Sequence, residues 1–208
     1  MIDVTLVLIM YVIFGYSQKI DPDFDPADGI VIPAFYIENS PDYDKVTIRT
    51  PTGYGHDAFE LKPDTGYELS DPLKEDILDY CLEYYGNRIV FLSEATNTYN
   101  CHGYAWHISE GGDNVCLEGN VPYVNKGSFT SYVDTFYLEH AKIAYPDTTD
   151  HSAIATDHQD TLISKWGNLP LFKHHIKDCP YNPDTLPALT YYWIAPPEIS
   201  DSPDRLCT

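Results

Sequence analysis

The stretch Asn100-Cys101-His102-Gly103-Tyr104-Ala105-Trp106 combines the signal of a helix start with a cysteine in the first turn. Asn100 can cap a helix, and we predict that this helix runs from Cys101 to about Ser109 and is stopped by two glycines at 111 and 112. Cys101 then lies in the first turn, where unpaired backbone N–H groups and the helix dipole favour a thiolate. The stretch therefore predicts a reactive cysteine at the tip of a helix.

On the N-terminal side, the sequence predicts a longer helix followed by a strand. Ser70 or Asp71 followed by Pro72 is typical of a helix start, and apolar residues then recur at helical spacing until Gly86. Residues 89–92 (IVFL) have the pattern of a buried strand.

On the C-terminal side, the hydrophobic pattern changes to the alternation of β-strands. Three short runs at residues 141–145, 151–156 and 161–166 are separated by turn-forming segments, which predicts successive antiparallel hairpins. Residues 170–174 and 191–195 are candidates for further strands. Helices and β-runs together predict a single α+β domain.

His151 is our candidate for the histidine that exchanges a proton with Cys101, since it opens a strand directly after a turn. A thiolate alone is a poor catalyst of amide cleavage because the leaving amine needs a proton, which a neighbouring imidazole can supply. We therefore predict that Cys101 is a nucleophile and that His151 is its general base and then general acid.

The run from Asn100 to Trp106 resembles the nucleophile segment of NlpC-type papain-like cysteine peptidases, in which an Asp-Cys-Ser-Gly run opens the active-site helix. In that family a strand, a short turn, a histidine that opens the next strand and a polar residue about a dozen positions later follow. Here residues 141–145, His151 and the pair Ser164-Lys165 match that order. The resemblance covers roughly residues 70–176 and implies a papain-like (NlpC-type) fold, with the nucleophile helix packed on an antiparallel sheet.

The resemblance also implies a third residue that orients the histidine ring, generally His, Asn or Gln. The matching positions hold Ser164 and Lys165, which we assign to the catalytic group. A charged lysine cannot accept a hydrogen bond from an imidazole N–H, so Ser164, His158 or a backbone carbonyl is left to hold the ring of His151.

Two further departures from the family concern the substrate side of the helix. Asn100 replaces the usual Asp and His102 the usual Ser. Tyr99 and the first-turn N–H groups of Cys101 and His102 are candidate oxyanion donors, and with Asn100 and Gly103 they form the predicted substrate and oxyanion group. This chemistry needs neither a metal nor an organic cofactor.

The composition limits the partners of the protein. The chain has 208 residues, enough for one domain with a hydrophobic core, with 12 Lys and Arg against 32 Asp and Glu and a formal net charge of −20. A surface of this charge repels phosphate backbones and anionic lipids, which argues against nucleic acid or membrane partners.

The N-terminus predicts export. Residues 4–15 form an apolar run of secretory length, and Gly15 and Ser17 favour cleavage after Ser17. The only charge before this run is Asp3, whereas signal peptides ordinarily begin with a positive charge, so a buried strand or helix stays open as the alternative. We divide the chain into a signal peptide (1–17), an extended N-terminal region (18–69), the catalytic domain (70–195) and a Pro-rich tail (196–208), and expect a secreted, periplasmic or cell-surface protein that is not inserted in a membrane after cleavage.

Five cysteines are an odd number for an exported chain. If Cys101 is free, the other four can form two disulfides in any of three connectivities, and these are Cys81, Cys116, Cys179 and Cys207.

The functional hypothesis is a secreted cysteine hydrolase of amide or peptide bonds, which the resemblance places on cell-wall peptides or peptidoglycan. Acyl transfer to an amine uses the same groups. One alternative is a catalytically inert papain-like domain that binds wall polymer or a protein, with Lys165 marking loss of the triad. The other is a surface module stabilised by disulfides or calcium.

Overall fold

The computed structural model describes residues 37, 40–118, 132–145, 151–181 and 189–194. The predicted signal peptide, the Pro-rich tail, Cys207 and the turn before His151 lie outside the described residues. Within the described ranges the chain combines two α-helices with antiparallel β-structure, which confirms the predicted α+β class.

Seven strands of the described ranges form the main sheet, and every neighbouring pair is antiparallel. From one edge to the other they are β3 (Ile89–Ser93), β8 (Leu171–His175), β7 (Thr161–Lys165), β6 (Ser152–Ala155), β5 (Lys142–Ala144), β9 (Thr190–Ile194) and β4 (Tyr132–Thr135). The three predicted β-runs are therefore confirmed as the consecutive strands β5, β6 and β7. The candidate strands at 170–174 and 191–195 are β8 and β9, whereas β4 has no counterpart in the sequence prediction.

Helix α1 (Asp71–Tyr85) forms where the sequence predicts it. Pro72 occupies the first turn, where its missing N–H costs nothing, and Gly86 ends the helix with a φ of 58°. Ile77, Cys81 and Tyr85 are buried in one cluster with Trp166 and Phe172, so α1 packs on the part of the sheet formed by β7 and β8.

Helix α2 (Cys101–Trp106) begins at the predicted residue but ends three residues before the predicted Ser109. His107 leaves the helical conformation, and a short 3-10 helix (Ile108–Glu110) follows, ending at Gly111 with a φ of 90°. Ala105 and Trp106 pack in one cluster with Tyr132 and Ile154, which anchors α2 on the sheet.

A second, two-stranded sheet precedes α1. It consists of β1 (Tyr43–Arg49) and β2 (Gly55–Leu61) and belongs to the region for which the sequence predicts extended structure without chemistry. The Tyr43 hydroxyl donates a 2.7 Å hydrogen bond to the carbonyl of Asn97, and Phe59 pairs with Cys116. The hairpin thus holds the segments on both sides of α2.

All four described cysteines, Cys81, Cys101, Cys116 and Cys179, are buried free thiols. The expected disulfides are therefore not formed among these four. No helix in the described part of the chain is long and apolar enough to cross a bilayer.

Candidate active site

Asn100 fixes the start of α2 and thereby the position of Cys101. Its side-chain oxygen accepts hydrogen bonds from the N–H groups of Gly103 (2.9 Å) and Leu117 (3.2 Å), and its amide donates to the Leu117 carbonyl (2.8 Å). Asn100 is therefore both the predicted helix cap and a tie to the segment around Leu117. These contacts give Asn100 a positioning role; its contact with substrate stays a prediction.

The backbone at Val115 lies so close to α2 that residue 103 must be a glycine. A Cβ at this position would lie 1.9 Å from the carbonyl oxygen of Val115. The first turn of α2 can thus pack against the backbone at Val115 only where residue 103 has no side chain.

His151 lies immediately before β6, as predicted, and is completely buried, with 0% of its surface exposed. Its ring stacks on that of Tyr181, with 3.7 Å between centroids and 10° between planes. The ring of Tyr145 meets it edge-on at 4.8 Å and 71°. The imidazole therefore lies in an aromatic pocket.

Cys101 and His151 are brought together, although 50 positions separate them in the sequence. Burial alone raises the pKa of the Cys101 thiol, but the charges of His102 and His151 and hydrogen bonds with both rings lower that pKa well below its ordinary value. The physical cause is the attraction between a thiolate and neighbouring imidazolium groups.

Cys101 differs in this respect from the other described thiols. Burial raises the pKa of Cys81 and of Cys179 to about 12, and it also raises the pKa of Cys116. A buried thiol without a suitable cation stays protonated, so among the described cysteines Cys101 is the one whose surroundings favour a thiolate.

His102 is a second histidine at the Cys101 sulfur, whereas the sequence predicts it only on the substrate side of the helix. It is buried, and its Nδ1 lies 2.8 Å from the hydroxyl of Ser152, which also accepts a 2.8 Å hydrogen bond from the Trp106 indole. Ser152 is the first residue of β6, and its hydroxyl faces α2, where it contacts both His102 and Trp106.

Lys165 is fully buried and makes three hydrogen bonds to backbone carbonyls. Its ammonium donates to Thr96 (3.2 Å), Gly167 (2.9 Å) and Leu169, and it lies 5.1 Å from the centre of the Tyr99 ring. Burial lowers the pKa of Lys165 to about 7, although Cys116 and Cys101 act in the opposite direction. Lys165 thus links the segment before Cys101 to the β7–β8 turn.

The hydroxyl of Ser164 contacts His174, whereas the sequence predicts that it contacts His151. Its hydroxyl lies 2.8 Å from Nε2 of His174 and accepts a 3.1 Å hydrogen bond from the Trp166 indole. Burial lowers the pKa of His174 to about 4, so its ring is neutral. Nδ1 of that ring lies 2.9 Å from the carbonyl of His175, so Nδ1 carries the proton and Nε2 accepts from Ser164.

The other predicted partners occupy different surroundings. His158 is exposed, with 76% of its side chain accessible, and its Nε2 lies 3.8 Å from a carboxylate oxygen of Asp157. Burial raises the pKa of Tyr99, opposed by a hydrogen bond with Ser93. Tyr99 stands beside Lys165 and directly before the Asn100 cap, so its predicted oxyanion role stays a prediction.

The described residues contain no group of three or more His, Cys, Asp or Glu side chains arranged to hold a metal ion. Comparisons of the chain with family models, with curated proteins and with solved structures found no match.

Proposed function

We propose that this protein is a secreted, papain-like cysteine hydrolase that cleaves amide or peptide bonds, with cell-wall peptides as the substrate class. The observation that carries the proposal is the setting of Cys101: a thiol at the start of α2 whose pKa is lowered by two histidines, whereas burial raises the pKa of the other three described thiols. The consecutive antiparallel strands β5, β6 and β7, with His151 between β5 and β6, support the proposal because the resemblance implies the same order. The cell-wall substrate and the export rest on the sequence alone.

In the proposed reaction, the Cys101 thiolate attacks the carbonyl carbon of the scissile amide. The N–H groups of Cys101 and His102, with Tyr99, are the proposed donors to the developing oxyanion. The His151 imidazolium gives its proton to the leaving amine as the C–N bond breaks, which leaves a thioester on Cys101. Neutral His151 then takes a proton from water as the water attacks the thioester, and the acid product and the thiolate are released.

A second candidate is the catalytically inert papain-like domain that binds a polymer or a protein. The burial of both reacting groups favours it, since Cys101 is 5% exposed and His151 is 0% exposed. Free thiols at the four described cysteines give no support to the disulfide-stabilised module.

Alkylation tests the proposal before a substrate is known. Iodoacetamide added to the folded, unreduced protein at pH 6 should modify Cys101 selectively, because only a cysteine of low pKa is a thiolate at that pH. The matched control is Cys81→Ser, which removes a buried thiol of high pKa and should leave the labelling pattern unchanged. Slow, base-dependent labelling of Cys101 would favour the inert domain.

Measurements of peptide hydrolysis would further separate the hydrolase from the inert domain. Cys101→Ala and His151→Ala variants should both lose hydrolysis of peptidoglycan peptides, by at least about a hundredfold for the loss of proton transfer at His151. An unchanged rate of hydrolysis in either variant would contradict the proposed mechanism.

A further inference from the structure

Tyr181 is the aromatic residue in closest contact with His151. The two rings are nearly parallel, with 3.7 Å between their centroids and 10° between their planes. The buried ring of Tyr145 lies 4.8 Å from the same imidazole in a T-shaped arrangement. This arrangement restricts rotation of the His151 side chain, because two aromatic rings pack against its imidazole.

The chain holds Tyr181 in place from the end of β8. The backbone N–H of Tyr181 is hydrogen-bonded to the Cys179 sulfur, which is buried. One residue earlier, the Asp178 carboxylate accepts a 2.9 Å hydrogen bond from Arg88, and the Asp178 N–H donates to the carbonyl of His175. Tyr181 therefore follows a segment that is fixed at two successive residues.

The residues predicted to orient His151 are engaged with other groups. The Ser164 hydroxyl is bonded to His174, and the Lys165 ammonium to three backbone carbonyls. The rings of Tyr181 and Tyr145 both pack against the His151 imidazole, and the parallel Tyr181 ring matches its plane to within 10°.

Stacking also has an electrostatic consequence. The face of a phenol ring carries negative charge density, and a cation above it is stabilised. The thiolate form of Cys101 needs a positive imidazolium beside it, and the Tyr181 face stabilises that charged form over the neutral ring.

We propose that Tyr181 is a positioning residue for His151, whose ring sets the plane of the imidazole and stabilises the imidazolium beside Cys101. This inference rests on the proposed function, which it deepens by naming a residue that positions the general base. Tyr181 acts through His151 and does not itself touch the reacting atoms.

The test is the pH profile of Cys101 alkylation by iodoacetamide, measured on the full chain by mass spectrometry from pH 4 to 9. Tyr181→Leu should shift the profile upward and lower the rate at pH 6 by roughly 3- to 30-fold, the loss expected for one cation–π contact. Tyr181→Phe keeps the aromatic face and should restore the original profile. Tyr191→Leu is the matched control, because Tyr191 packs in the same apolar cluster but its ring meets that of Tyr137 edge-to-face.

The outcomes separate the inference from the proposed function. If His151→Ala loses labelling at pH 6 while Tyr181→Leu labels as the original chain does, the role of Tyr181 is overturned and the hydrolase proposal stands. If the original chain and His151→Ala label identically, with the base dependence of an ordinary thiol, both are overturned.

A second measurement does not depend on the reactivity of Cys101 or on the folding of the leucine variant. In the original chain the carbon-bound ring protons of His151 should resonate upfield by ring-current shielding from Tyr181, and should stay so in Tyr181→Phe. Ordinary chemical shifts for these protons in solution would overturn the inference.

Discussion

At the scale of single residues, this site depends on charges buried without carboxylate neighbours in hydrogen-bonding distance. Lys165 is the clearest case, since its three acceptors are the carbonyls of Thr96, Gly167 and Leu169. Three acceptors match the three protons of an ammonium, but neutral carbonyls offset only part of the free energy needed to remove the charge from water.

The pH dependence of stability should reveal this cost. Burial lowers the pKa of Lys165 to about 7, from 10.5 in the unfolded chain, so between pH 7 and 10.5 the unfolded state binds more protons at this residue. The contribution of Lys165 to the free energy of unfolding should therefore rise with pH across that window, by up to about 1.4 kcal/mol per pH unit. Urea unfolding of the original chain and of Lys165→Met at pH 7 and pH 10 measures it, and an equal difference at both pH values would contradict it.

Ser152 offers a second prediction at this scale. Its buried hydroxyl binds both His102 and the Trp106 indole, so Ser152→Ala leaves two buried polar groups without that partner. We expect a loss of about 1–3 kcal/mol in the free energy of unfolding, measured in urea. Ser40→Ala, which removes only a hydroxyl beside Asp42, is the control and should change stability by less than about 0.5 kcal/mol.

At the scale of elements, the six-residue helix α2 depends on its surroundings more than on its own propensity. Its cap and its glycine tie it to the segment that ends at Leu117, and its aromatic end packs on β6 and β4. A helix this short would not persist without those contacts.

Gly103→Ala should therefore disrupt the site. The added methyl group meets a backbone oxygen, which cannot rotate away as a side chain can, so we expect a loss of about 3 kcal/mol or more in the free energy of unfolding and slower labelling of Cys101. Gly55→Ala is the matched control, because its Cβ would lie 3.3 Å from a methyl group of Thr47 and needs only a small adjustment. Equal stability of the two variants, from thermal unfolding, would contradict this account.

The sequence predicted elements better than it predicted contacts between side chains. Pro72, Gly86 and the β-runs are local signals, and the elements they indicate are present. The predicted end of α2 at about Ser109 was wrong: the helix ends at Trp106, and Gly111 ends the 3-10 helix that follows.

The partners of the predicted catalytic residues could not be deduced in the same way. The bond of Ser164 to His174 arises from the register of β7 against β8, which no spacing in the sequence specifies. Likewise, Tyr181 reaches His151 because of the chain direction after β8, and the sequence around Tyr181 carries no corresponding signal.

At the scale of the whole molecule, charge is the dominant feature. A formal net charge of −20 on 208 residues destabilises the compact state by self-repulsion. We expect the melting temperature at neutral pH to rise between 10 mM and 300 mM NaCl, since salt screens exposed charges. An equal concentration of uncharged sucrose controls for general solute effects at the lower ionic strength, and a melting temperature that falls with NaCl would contradict the prediction.

The near-complete enclosure of the sulfur at Cys101 also bears on which molecules reach it. Cys101 has only 5% of its surface open to solvent, so the size of a reagent limits its access to the sulfur. Compact electrophiles should react much faster than wide maleimides of equal intrinsic reactivity, and a slender polymer end would enter where a folded protein chain could not.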